Sequence, residues 1–71
     1  MELRIGYHIR RLRRLRGMTQ RQMAERLRIS TQAVSKWERG LGYPDVAMLV
    51  PIADLLCVSL DELFGRKHVE Q

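Results

Sequence analysis

Apolar side chains recur at three- and four-residue intervals along the chain and nowhere alternate with polar ones over the length of a strand. With no hairpin dipeptide either, this pattern predicts short α-helices joined by turns, and no sheet. A first helix is expected from about Glu2 to Leu15. In it Ile5, Ile9 and Leu12 form one stripe, Arg10, Arg11, Arg13 and Arg14 face elsewhere, and Gly17 supplies a left-handed stop. The next two starts share one grammar: Thr19 and Ser30 each bring a hydroxyl to the open backbone N–H groups of a helix start, and Gln22 completes a capping box with Thr19. Met18 with Met23, and Ile29 with Val34, have the spacing of hydrophobic staples. Residues 28–30 then form a short turn between two short helices.

A fourth helix is expected to begin near Asp45, capped by its carboxylate, and to bury Leu49, Ile52, Ala53 and Leu56. Pro51 falls inside that helix and has no N–H to donate, which predicts a kink or an irregular first turn. Ser59 with Glu62 forms another capping box and Val58 with Leu63 another staple, so a fifth, short helix should run to about Phe64. The expectation is an all-α, compact five-helix domain over residues 1–65, followed by a polar tail over 66–71.

Length and composition narrow what such a domain can do. Seventy-one residues fit one domain, which buries only roughly 60% of its unfolded surface. Cys57 is the single cysteine, which excludes an internal disulfide, and His8 and His68 lie far apart, so no metal and no cofactor is expected. Cys57 reads as a small buried hydrophobe. An enzyme would need a nucleophile with a base, paired carboxylates in a cleft or a metal set, and none is evident. No apolar run approaches the roughly 20 residues that span a bilayer, and residues 1–30 lack the apolar centre of a signal peptide, which makes the expected compartment cytosolic.

Charge is more informative. Residues 1–39 carry eleven bases against three acids, whereas residues 40–71 carry two bases against five acids. A basic half joined to a mildly acidic half suits a polyanion on one face, either nucleic acid or an anionic membrane. At about 100° per residue, the helix from Thr31 to Arg39 places Thr31, Ser35, Arg39, Gln32 and Lys36 within an arc of about 140°. Ala33, Val34, Trp37 and Glu38 occupy the other side. Gln pairs bidentately with adenine, Arg and Lys meet the acceptors of guanine, and Ser and Thr suit either kind of base edge.

The segment TQRQMAERLRISTQAVSKWERG resembles the helix-turn-helix of the phage repressor and Cro type (Xre-like) family of bacterial and phage regulators. The likeness extends from about Ile5 to Phe64 and includes PDVAML and VSLDELF. It implies that Gln20 hydrogen-bonds a DNA phosphate, that Thr31, Gln32 and Lys36 read base edges with Ser35 beside them, and that Arg39 contacts phosphate. It also implies a partly buried salt bridge between Arg13 and Glu38. Arg28 and Cys57 stand where the family usually has glycine, and Arg28 can reach toward a phosphate. The implied function is sequence-specific binding of double-stranded DNA by a transcriptional repressor acting as a homodimer on a palindromic operator. Leu55, Phe64 and Val69 are candidates for the dimer surface, with core positions as the alternative for Leu55 and Phe64. Two other readings stay open at this level: an antitoxin that also holds a protein partner, and a membrane-surface module built on RRLRRLRG. The second is weakened because Ile5, Ile9 and Leu12 are needed for the core.

Overall fold

The computed structural model describes residues 4–66, which form five helices and no strand. In chain order these are α1 (Ile5–Leu15), α2 (Gln20–Leu27), α3 (Thr31–Glu38), α4 (Val46–Leu56) and α5 (Leu60–Leu63). Helix α1 starts at Ile5, later than the apolar pattern suggested, with Arg4 in the cap position and no side chain closing it. Helix α3 ends at Glu38, and Arg39 is its C-terminal cap.

Three helix starts follow their sequence signals closely. The Thr19 hydroxyl accepts from the N–H of Gln22 while the Gln22 carboxamide accepts from the N–H of Thr19, and Ser59 and Glu62 repeat the arrangement. The Ser30 hydroxyl accepts from the N–H of Ala33. Helix α4 departs from expectation. Asp45 occupies its cap position, but its side chain caps nothing. The N–H of Met48 instead reaches the backbone carbonyl of Asp45 at 2.8 Å, a three-residue closure that tightens the first turn. Past this turn the helix continues unbroken through Pro51, which lies on the solvent side.

The five helix ends share one closure, in which an N–H two or three residues past the helix bonds back to the carbonyl five residues before it. Ile29 N–H meets the Ala24 carbonyl at 3.0 Å and Val58 N–H meets the Ala53 carbonyl at 3.0 Å, with equivalents at Met18, Leu41 and Arg66. The residue before each has positive φ, and at two ends it is not glycine: Arg28 and Cys57 both sit at φ 60°. A β-carbon there costs roughly 1 kcal/mol. The same turn corrects the reading of Cys57, which is exposed and not a buried hydrophobe. The left-handed residue is carried outward and the following Val58 packs against the core in its place.

That core is drawn from every helix: Ile9, Met23, Val34, Ile52, Leu56 and Leu63 are fully buried, each contributing about 1.5–3 kcal/mol of apolar transfer. Leu49 is half-buried and lies against the core, not inside it. Helix α3 packs on both α1 and α2, while α5 packs on α1 and α4. Gly6 permits the crossing of α1 over the end of α3, since a β-carbon there would fall on the Trp37 carbonyl oxygen. The Arg16 guanidinium donates Nε–H to the Leu56 carbonyl at 3.0 Å and so joins the ends of α1 and α4.

At the other side of α1, His8 has its Nδ1 buried without a hydrogen-bond partner, and the backbone of Gly65 lies against its imidazole. Desolvation, then the positive charges of Arg11 and Arg4, hold the His8 pKa below its ordinary value of 6.5. The folded state therefore favours neutral His8, so stability is full above that pH and declines as pH falls below it. Two outcomes are expected. Gly6→Ala should destabilise by at least the roughly 1–3 kcal/mol typical of overpacking, because backbone is what must move, as urea unfolding will measure. His8→Leu should lose less of its unfolding midpoint between pH 7.5 and pH 5 than the unsubstituted protein loses.

Candidate nucleic-acid interface

Helices α2 and α3 pack against each other, with Ala24 of α2 buried, and a turn of three residues separates them. Val34 and Trp37 face into the core, which decides the side of α3 that turns inward. Thr31, Gln32, Lys36 and Arg39 are therefore exposed together, with Ser35 half-buried at their edge. Arg28 is exposed at the turn preceding this face.

A polar network beneath the face holds α3 to its neighbours. Arg13 of α1 donates Nε–H to Glu38 Oε2 at 2.7 Å and Nη2–H to Oε1 at 3.0 Å, with side-chain exposures of 9% and 3% for the two residues. Such parallel paired bonds set angle as well as distance. Arg13 also donates through Nη1 to the Met18 carbonyl at 2.7 Å, which ties the segment entering α2 to the same guanidinium. Gln20 adds a third helix, donating Nε2–H to Glu38 Oε1 at 3.0 Å. This last bond was not legible in the sequence: Gln20 stands out there as a surface hydrogen-bonder, and its partner is eighteen residues away.

A cleft opens where α1 approaches α3. Ser35 of α3 and Arg39 at its C-terminal cap line it, with Gln20 from α2 and Arg10 and Arg14 from α1. Arg39 leans its Nε–H toward the Ser35 carbonyl at 3.4 Å, a weak contact. The structure thus gathers Gln20, Ser35 and Arg39 at one edge of the α3 face, with Thr31, Gln32 and Lys36 across it, while Arg28 stands apart at the turn. Of the proposed dimer residues, Leu55 and Phe64 are half-buried against the core, and Val69 lies outside the described residues. The large apolar side chains open to solvent are others, among them Val46 and Val50 on α4 and Leu60 on α5.

Two short helices packed together and joined by a tight turn, with the second presenting a polar face and locked from behind, define a helix-turn-helix unit. The chain belongs to the helix-turn-helix family, in its Xre-like branch of transcriptional regulators: the family model matches residues 9–63. It is 44% identical over 61 residues to the transcriptional activator BcrR of Enterococcus faecalis, an alignment covering 86% of this chain and 30% of BcrR. It is 50% identical over 48 residues to the phage CTXphi transcriptional repressor RstR of Vibrio cholerae, covering 68% of this chain and 43% of RstR. The chain thus spans less than half the length of both. A crystal structure of a transcriptional regulator from Listeria innocua superposes with a TM-score of 0.80 at 28% identity, over 94% of this chain and 63% of that one.

Glu38→Ala strands the Arg13 guanidinium in a nearly closed site and should cost about 3–5 kcal/mol in urea unfolding. Gln20→Ala removes a single bond to the same carboxylate and should cost about 1.5–3 kcal/mol at most.

Proposed function

We propose that this domain binds double-stranded DNA sequence-specifically, laying α3 in the major groove, and that it regulates transcription as a repressor by occupying its site. The observation that carries this reading is the exposed set of Thr31, Gln32 and Lys36 on a short helix rotated into place by Val34, Trp37 and the Arg13–Glu38 pair. Gln32 and Lys36 are the principal base readers, with Thr31 and Ser35 beside them, and Gln20, Arg39 and Arg28 meet phosphates. The Gln20 carboxamide, already donating to Glu38, has a second N–H for a phosphate oxygen.

One helix-turn-helix touches few base pairs, so two copies on a palindrome with half-sites about one helical turn apart are proposed. The exposed Leu60, which opens α5, and the half-buried Phe64, its C-terminal cap, with Leu55 and Val69, are the proposed pairing surface. Among the described residues no helix is long and apolar enough to cross a membrane; the cytoplasmic location proposed here rests on the DNA target.

Selection from random duplexes followed by binding titration tests the assignment. Gln32→Ala should relax preference at one base position and weaken the best site by about 1–3 kcal/mol, whereas Gln20→Ala should weaken all duplexes to a similar degree. Uniform loss for both variants would remove Gln32 from the reading role.

A further inference from the structure

The cleft between α1 and α3, about 350 Å³ in volume, carries more positive charge than its internal pairing uses. Glu38 is the one carboxylate in its wall, and it is fully engaged by Arg13 and Gln20. Arg13 in turn spends all three of its guanidinium nitrogens on Glu38 and the Met18 carbonyl. Arg10, Arg14 and Arg39 line the same hollow, all exposed, and none makes an ion pair among the described residues. Arg10 and Arg14 are four residues apart on α1, where like charges repel along a bare helix. A bound anion between them turns that repulsion into attraction.

The position of the cleft decides which anion fits. Its α3 wall is made by Ser35 and Arg39, the edge of the proposed reading face nearest α1. With α3 in a major groove, the sugar-phosphate strand bordering that edge passes the mouth of the cleft. A guanidinium meets phosphate oxygens through two parallel bonds, so three arginines on two elements suit consecutive phosphates of a strand. We infer that Arg10 and Arg14 of α1, with Arg39, clamp the DNA backbone flanking α3, so that α1 belongs to the interface beyond the two helices of the motif. This rests on the major-groove reading above. The clamp sets the register of α3 and adds affinity without sequence preference.

The test is the salt dependence of binding to the selected duplex. Each phosphate neutralised contributes about 0.9 to the log–log slope, so Arg10→Gln/Arg14→Gln should lower the slope by about 1.8 with the preferred sequence unchanged. Arg10→Lys/Arg14→Lys, which keeps the charges, should hold the slope. Arg11→Gln/Arg66→Gln removes the same charge from the cleft between α1 and α5 and should leave the slope near that of the unsubstituted domain. Circular dichroism of each variant checks that the helices persist. An unchanged slope in the Arg10/Arg14 glutamine variant, or an equal drop in the Arg11/Arg66 variant, overturns the clamp while leaving major-groove reading intact. Binding to phosphatidylglycerol vesicles that is lost in the Arg10/Arg14 variant while its duplex slope is unchanged assigns the cleft to lipid and also overturns it. If the unsubstituted domain shows no salt-dependent duplex binding, the proposed function fails first.

Discussion

Arg13 and Glu38 meet through two parallel N–H···O bonds in a site nearly closed to water, and the orientation of α3 depends on that contact. Apolar packing alone holds a helix near its neighbours but tolerates small rotations, because Val34 and Trp37 can slide against other apolar atoms at modest cost. A paired, planar, charge-assisted contact does not tolerate them. Gly6 completes the constraint from the other side, since the absence of a β-carbon brings α1 onto the Trp37 carbonyl and puts Arg13 within reach of Glu38. A rotation of α3 by one residue, about 100°, would turn its polar face away from any groove.

The polar groups behind α3 differ in kind from those in front of it. Behind, Arg13, Gln20 and Glu38 satisfy one another, and the one cationic guanidinium is matched by the one carboxylate. In front and at the edge, Lys36, Arg39, Arg10 and Arg14 have no such partners among the described residues, so their charge is available to a ligand. The strained turns show a similar division between shape and chemistry. Arg28 and Cys57 take left-handed conformations that glycine would adopt without cost, and each lies exposed beside a residue that packs inward.

Much of this was legible in the chain because its signals are local. The capping boxes at Thr19 and Ser59, the Ser30 cap and the inward rotation of Val34 and Trp37 all follow from residues within a few positions of one another. The pairing of Arg13 with Glu38 was implied by family resemblance, not by any local pattern. The features that escaped depend on distant chain segments. Nothing near Gly6 announces that Trp37 will press on it, and nothing near Gln20 announces that Glu38 will accept a hydrogen bond from its carboxamide. Asp45 has the residue type of a cap and stands in the cap position, but the first turn closes through its backbone carbonyl and not its carboxylate. Cys57 has the composition of a core residue but the conformation of a helix terminus, and conformation decides its exposure. Leu55 and Phe64 are half-buried against the core, a placement set by helices distant from them in the chain.

The central claim is that α3 reads base edges from the major groove, and atomic substitution in the DNA tests it without altering the protein. Replacing purines of the selected site one at a time by their 7-deaza analogues deletes the N7 acceptor on the major-groove edge, and 3-deazaadenine deletes the adenine N3 acceptor in the minor groove. The account predicts loss of binding at specific 7-deaza positions, arranged with two-fold symmetry, and indifference to 3-deazaadenine. Loss confined to 3-deazaadenine positions, or indifference to both, would contradict it.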